Sequence, residues 1–454
     1  MKLLSTVKSM IPLKMKIYIA NIYEYYKALY FMRFFNMSDA EFLGYIEKTL
    51  CKRKCDNALK DIGISLKFTE RSRSSIDETK VLFLTEHVTG RCYKLAATLS
   101  AQGWKVEWFH GYNSRFVNVK QSDFLNYVSR EVKYKNFVEL ISNLIISDAA
   151  VIHYFTTWGS CYEANVILKH KGLFSPIIVE RYDVLSGMYK PETFGKTKLR
   201  NNIFKCEKYV LEHADGICQR EYSFEYLQNN LNYNLSPKQL TFFEYPAKSS
   251  NAQWVLAENK ETSFCYVGGI TTEREQPKAC FACHLQFAEL CRQHGAHYHM
   301  YPTPWDKERY EDYLQLEKEN MYFHIHHPLP YTQLILEISK YDYGIFPVTG
   351  DYCNDINAFG NYTINKLVYS GTNKHFDYIA AGLPIIAVTP VRLTQEIEKS
   401  GFLFRWTIDE IDFDYLATHR DDLKRIVQKE QDKWTMEHHI QELEDFYRKV
   451  CDET

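Results

Sequence analysis

No run of about 18 uninterrupted apolar residues occurs anywhere in this 454-residue chain, so a helix crossing a bilayer is not expected. The nearest approach, 17–35, is broken by Asn21, Glu24, Lys27 and Arg33. Its charged core, with no small-residue cleavage site after it, also argues against a secretory leader. Charge of one sign is lacking too: 55 Lys and Arg against 57 Asp and Glu leave a formal net charge of −2. A general nucleic-acid binder needs a basic face to neutralise phosphates, so no nucleic-acid partner is expected. The 12 cysteines show no regular pairing, which reads as reduced thiols in a cytoplasmic protein. There is no short-period repeat, and neither α/β half opens with Gly-x-Gly-x-x-Gly, which disfavours dinucleotide redox chemistry.

What is present is an ordinary globular composition, 45% hydrophobic and 25% charged, in a chain long enough for two domains and an extension. The 34 tyrosines suit wet clefts and interfaces, and a compositional bias explains them equally well. Residues 1–36 carry Lys2, Lys8, Lys14, Lys16, Lys27 and Arg33 against the single acid Glu24, with Tyr and Phe between them. That mixture fits a helix lying on an anionic membrane surface on the cytoplasmic side, and it fits equally a helical extension packed on the first domain.

The extension is expected over 1–76. Ser38 and Glu41 have capping-box spacing before a helix whose Phe42, Tyr45, Ile46 and Leu50 share a face, and the polar run 70–79 reads as a linker. From residue 77 strands and helices alternate. Strands are predicted at 81–85, 106–109, 150–155, 176–182, 216–218 and 241–245, with a helix over 92–102 closed by Gly103. This is the pattern of a doubly wound parallel sheet over 77–245. A polar stretch over 246–260 separates a second such domain, 246–432, with strands at 264–267, 297–301, 322–326, 343–347, 384–388 and 402–406. An amphipathic helix is expected within 433–454.

The segment Asn373-Lys374-His375-Phe376-Asp377-Tyr378-Ile379-Ala380-Ala381-Gly382-Leu383-Pro384 reads as a helix that leads into a buried β-branched strand. Gly382 suits the left-handed closure, and Pro384 prevents the helix from resuming. With Asn373 as N-cap, the free amides of the first turn face the preceding loop and form a receptor for an anion such as a nucleotide diphosphate. Asp377, about one turn in, is placed to accept hydrogen bonds from a ribose. Earlier, the strand Phe264-Cys265-Tyr266-Val267 ends in Gly268 and Gly269, which let a ligand approach the backbone. Arg274 follows and can fork onto diphosphate oxygens, with Lys374 as a second cation.

On the first domain Glu180, Arg181, Tyr182 and Asp183 fall at a strand's carboxyl end, where open α/β sheets bind ligands. Asp183 is the candidate base there, and His153 to Ser160 are candidates for the same cleft. Three patterns suggest metals. Asp412 and Asp414 sit in an acidic run entering a helix, where acids favour the helix start anyway. Cys280, Cys283 and His284 lie on an expected core helix, where cysteine acts as a small hydrophobe. His324, His326 and His327 fit alternation of strand faces plus surface. All three are read as structural, so no metal is expected.

The 373–384 segment resembles the donor-site helix of GT-B glycosyltransferases, which often reads Asn-Lys-x-Phe-Glu-Tyr-x-Ala-x-Gly-x-Pro, with Asp377 here in place of glutamate. The Tyr266-Val267-Gly268-Gly269-Ile270 loop is similar to the same family's donor loop, and Thr89-Gly90-Arg91 to its acceptor-side glycine loop. The resemblance covers roughly 77–430. It implies two Rossmann-like domains facing a cleft and a terminal helix over 433–454 that crosses back to the first domain. It implies transfer of a sugar from a nucleotide-sugar donor to a saccharide or lipid-linked acceptor. No cofactor or catalytic metal is implied, and retention of anomeric configuration is favoured. Gly268, Gly269, Arg274, Asn373, Lys374 and Asp377 would surround the donor. The alternatives are a GT-B nucleotide-sugar epimerase or hydrolase, and a non-catalytic nucleotide-sugar-binding relative.

Overall fold

The computed structural model describes residues 13–52, 76–112, 114–116, 119–189, 198–252, 261–270, 282–303, 310–348, 368–369, 371–388 and 391–452. Two parallel sheets organise them. The first contains β1 (Asp77–Thr85), β3 (Lys105–Gly111), β5 (Val128–Tyr134), β6 (Ala149–Thr156), β7 (Ile177–Arg181), β8 (Gly216–Gln219) and β9 (Gln239–Thr241), ordered β5-β3-β1-β6-β7-β8-β9. Beside it, β2 (His87–Val88) pairs with β4 (Arg115–Phe116). The second contains β10 (Ser263–Gly268), β11 (His297–Pro302), β12 (Phe323–Ile325), β13 (Tyr343–Phe346), β14 (Ile385–Ala387) and β15 (Leu403–Arg405), ordered β12-β11-β10-β13-β14-β15. Every pairing within both sheets is parallel.

Parallel strands buried on both faces read as continuous apolar runs, which is why β6, β7, β13 and β14, buried along their whole length, stand out in the sequence. Strand β5 does not: Val-Ser-Arg-Glu-Val-Lys-Tyr is an edge strand with a solvated face, and no strand is expected there from the sequence. The last strand of the first sheet pairs over Gln239–Thr241 rather than 241–245. Residues beyond it instead carry buried Phe242, Phe243 and Tyr245 toward the second domain, where Phe243 and Tyr245 meet the ring of Phe376. Strand order reverses between β1 and β6 in one sheet and between β10 and β13 in the other. Ligand crevices of open α/β sheets form at such points, outside the carboxyl ends of the strands.

The final helix, Met436–Asp452, follows the second sheet in the chain yet packs on the first. Trp104 Nε1 donates to Glu444 at 3.0 Å, and Tyr447 OH lies 2.7 Å from His153 Nδ1. Gly216 makes room for it, because a Cβ there would stand 2.8 Å from Val450. At the other end, Ser38 and Glu41 form the reciprocal capping box, with backbone-to-side-chain bonds of 2.8 and 3.3 Å. The preceding helix, Leu13–Phe35, buries Ala28, Phe31 and Phe34 and leaves Tyr23, Tyr25, Tyr26, Leu29 and Met32 exposed. Among the described residues no helix is long and apolar enough to cross a membrane.

Candidate active site

Strand β10 ends at Gly268 with φ +125°, a left-handed backbone that favours glycine. A Cβ at this position would lie 2.4 Å from Cε of Lys374, so the bare glycine is what lets the lysine chain cross the loop. The Lys374 ammonium stands 5.6 Å from the Tyr266 ring centre and 5.5 Å from that of Phe346. The Tyr266 hydroxyl donates to the carbonyl of Gly269 at 2.6 Å and fixes the second glycine. Gly268, Gly269 and Lys374, far apart in the chain, therefore share one site. Arg274 lies outside the described residues.

The helix that carries Lys374 runs Asn373–Ala380. Its N-cap is Thr372, so Asn373 is the first helical residue and not the cap the sequence suggests. The Asn373 side chain is instead engaged across the cleft: its Oδ1 accepts from Arg220 Nη1 at 2.9 Å. Gly382 has φ +73°, and Leu383 N bonds to Tyr378 O at 2.9 Å as the helix closes. Tyr378 anchors the helix to the sheet by donating to Ile345 O at 2.8 Å and accepting from Val267 N at 3.3 Å. Its ring occupies the space where Gly344 lacks a side chain; a Cβ there would sit 2.2 Å from Tyr378 Cγ.

Asp377 faces the first domain. Burial raises its carboxyl to about 7, the charge of Lys94 pulls the other way, and Glu244 adds to the rise. Lys94 is buried, donates to Glu244 O at 3.1 Å and lies 3.7 Å from the Glu244 carboxylate. Arg220, just past β8, is the residue that joins the halves and that the sequence does not single out. Its Nε donates to Tyr182 O at 3.0 Å and its guanidinium lies 4.0 Å from the centre of the Tyr182 ring. Its other contacts are Glu244 at 3.4 Å and Asp183 at 3.3 Å. Gly371 approaches the Arg220 carbonyl so closely that a Cβ would stand 1.7 Å from the oxygen. Only a strand-end position hints at Arg220 in the sequence, since its partners are distant along the chain.

The strand-end cluster of the first domain divides. Tyr182 and Asp183 reach the cleft, and the Asp183 side chain is half exposed. Glu180 and Arg181 do not, because both are buried in ion pairs. Glu180 binds Arg91 in a two-point contact, which holds its carboxyl down at about 2 against the cost of burial. Arg181 pairs with Glu207, whose carboxylate also accepts from Leu185 N at 2.9 Å and Ser186 N at 2.8 Å. His153 is fully buried, stacked on Phe155 at 4.3 Å and 3.3 Å from Glu180, so it is a core histidine and not an acceptor contact. Arg91 of the glycine-loop pattern likewise faces this core.

A cavity of about 490 Å³ opens at the carboxyl ends of β1, β3 and β5, lined among others by Glu86, Tyr134, Arg115, Lys135 and Glu163. Burial, with repulsion from Glu86, raises the Glu163 carboxyl to about 7, and Tyr154 OH donates to it at 3.0 Å. Among the described residues the β10 loop thus carries one cation, Lys374, and the first domain holds a polar chamber. Of the metal patterns, Asp412 is an N-cap that accepts from Tyr415 N at 2.8 Å, and Cys283 and His284 are buried. Cys280 lies outside the described residues.

No protein-family model matches the sequence, and no curated protein matches it. Solved structures do resemble it. A lipopolysaccharide outer core galactosyltransferase, WaaB, in apo form superposes with a TM-score of 0.50 at 11% identity, over 82% of this chain and 99% of that one. An alpha-glucosyltransferase in complex with UDP and a 13-mer DNA gives 0.51 at 10% identity, over 81% and 99%. The pneumococcal O-GlcNAc transferase GtfA in complex with UDP and GlcNAc gives 0.50 at 9% identity, over 82% and 99%. The two parallel sheets and these likenesses establish that the chain has the GT-B fold, two Rossmann-like domains with an N-terminal helical extension.

Proposed function

We propose that this protein is a glycosyltransferase that moves a sugar from a nucleotide-sugar donor to a saccharide or lipid-linked acceptor. The observation that carries the reading is the placement of Lys374 across the Gly268–Gly269 loop, at the carboxyl end of the central strand β10. A cation over a bare backbone turn is what a departing diphosphate needs, because side-chain charge there stabilises the leaving group without a metal. Arg274, Gly268, Gly269, Asn373, Lys374 and Asp377 would hold the donor, and Asp183 and the chamber beside Glu163 would face the acceptor. UDP stands in two of the similar structures, so uridine is the first base to test. Retention of configuration is the favoured outcome, from the sequence of the Asn373 helix.

The exposed aromatics of the Leu13–Phe35 helix, with the basic residues 2–16 before and within it, favour attachment to an anionic bilayer. Part of the same helix packs on the first domain instead: Lys27 donates to Gly159 O and Phe31 meets Phe137 at 5.1 Å, while Arg33 is exposed with its guanidinium 4.8 Å from the Tyr45 ring. The test of the transfer reading is a panel of nucleotide sugars incubated with the full chain and saccharide acceptors. Release of nucleoside diphosphate that depends on acceptor supports transfer. Release at the same rate without acceptor, with free sugar as product, indicates a hydrolase. Binding without turnover of any donor indicates a non-catalytic relative.

A further inference from the structure

Four histidines stand side by side on the far edge of the second sheet. β11 contributes His297 and His299, and β12 with the residue after it contributes His324 and His326. The parallel register pairs His299 directly with His324, and alternation along each strand puts all four rings on one face. The rings form a ladder, with His297 and His324 5.1 Å apart, His299 and His324 4.5 Å, and His299 and His326 5.3 Å. His297, His299 and His324 each present a ring nitrogen within 4.8 Å of the other two, and all three are half-buried.

The hydrogen bonds set the tautomers at one end of this ladder. His297 Nε2 lies 2.7 Å from Glu261 Oε2. A carboxylate only accepts, so the proton is on His297 Nε2 and, in the neutral ring, the Nδ1 lone pair points inward. That Nδ1 lies 2.9 Å from His324 Nε2. A carboxylate that receives the outer N–H of a histidine whose other nitrogen faces further imidazoles is the usual support of a metal-bound histidine.

We infer that His297, His299 and His324 form a binding site for a divalent transition metal of the zinc class, with Glu261 as the carboxylate behind His297. Imidazole is a favoured ligand of these ions, which bind it at about 2.0–2.1 Å. Nitrogens around a tetrahedral ion at that distance stand roughly 3.3 Å apart, so small rotations suffice: the His297–His324 pair opens slightly and His299 closes. His324 Nε2 releases its proton to Nδ1 as it binds. His297 lies at the start of β11, whose other end, Pro302, pairs with Gly268 of the donor loop. About 16 Å of strand separates them at roughly 3.3 Å per residue, so the ion would pin edge strand β12 to β11 and take no part in sugar transfer.

The test uses the full chain, stripped with chelator, reloaded with zinc and desalted. Metal content should be one zinc per chain, and the stripped protein should melt at a lower temperature than the loaded one. Cobalt in place of zinc should give visible absorption of a nitrogen-ligated site. His299→Ala and His324→Ala should each bind at least 100-fold more weakly, while His419→Ala, remote from the ladder, binds as the wild type does. Glu261→Gln, at an exposed position, should weaken binding by about 10–100-fold and keeps the test valid if a histidine variant fails to fold. Zinc that does not survive desalting, or that His299→Ala, His324→Ala and Glu261→Gln retain as well as wild type, would overturn the inference. Sugar transfer is expected to be equal with and without the metal.

Discussion

Gly268 and Lys374 act as a pair, because the lysine can lie over the donor loop only where the loop has no side chain. Gly268→Ala would place a methyl against Lys374 and force a backbone of φ +125° on a residue that resists it. Strain of this kind costs roughly 1–3 kcal/mol. The variant should melt lower and bind nucleoside diphosphate more weakly than the melting shift alone explains. Equal donor affinity in Gly268→Ala and wild type, read by titration calorimetry, would dissociate the loop from the site. Arg274→Ala should weaken diphosphate binding by about 1.5–3 kcal/mol, the range for hydrogen bonds to charged groups, and unchanged affinity would remove Arg274 from the site. Asp377 gives a pH signature. Its carboxyl is held at about 7 in the folded chain, chiefly by burial, against about 3.9 for a free aspartate. Between those values the folded chain keeps a proton that the unfolded chain releases. The associated stability is full below about pH 4 and lost as pH rises through about 7. Asp377→Asn has no such loss, so its melting temperature relative to wild type should climb from pH 4 to pH 8. A constant difference across that range would show that the carboxyl titrates normally.

Among the elements, the Asn373–Ala380 helix is the most legible in the sequence and still differs in one respect. Gly382 and Pro384 mark its end correctly because helix closure is decided by local backbone geometry. Its start shifts by one residue because Arg220, distant in sequence, takes the Asn373 side chain. Strands β10, β13 and β14 are legible as buried apolar runs, whereas β5 is hidden by its exposed charged face. The histidine ladder shows the same limit, since alternation along β11 can be read but the register that sets His299 beside His324 cannot. Gly344 is where helix and sheet interlock. Gly344→Ala would drive a methyl into the Tyr378 ring from rigid backbone, and overpacking of this kind costs typically 1–3 kcal/mol. A matching fall in denaturant midpoint is expected, and a wild-type midpoint would mean the helix is not seated on β13 as described.

Across the whole molecule the long-range contacts between the two domains include Arg220 with Asn373, Arg392 with Glu225 at 2.7 Å, and the final helix on the first sheet. The crossing of the final helix is what the resemblance of the sequence implies, whereas the two side-chain pairs are not visible there, because each joins residues far apart along the chain. Each basic residue near an anionic bilayer contributes about 1 kcal/mol, so replacing Lys8, Lys14 and Lys16 together by Gln should release the protein from anionic vesicles in co-sedimentation. Vesicle binding that is unaffected by these changes and by salt would exclude that role. The central claim is that the cleft between the domains receives a nucleoside diphosphate over the Gly268–Gly269 loop. Titration calorimetry of the full chain with UDP, beside Lys374→Ala of unchanged melting temperature, tests it most directly. The account predicts one site per chain in the wild type and at least tenfold weaker binding in Lys374→Ala, a loss of about 1.4 kcal/mol or more. Equal affinity in the two proteins, or saturable binding of UDP at a site indifferent to Lys374, would contradict it.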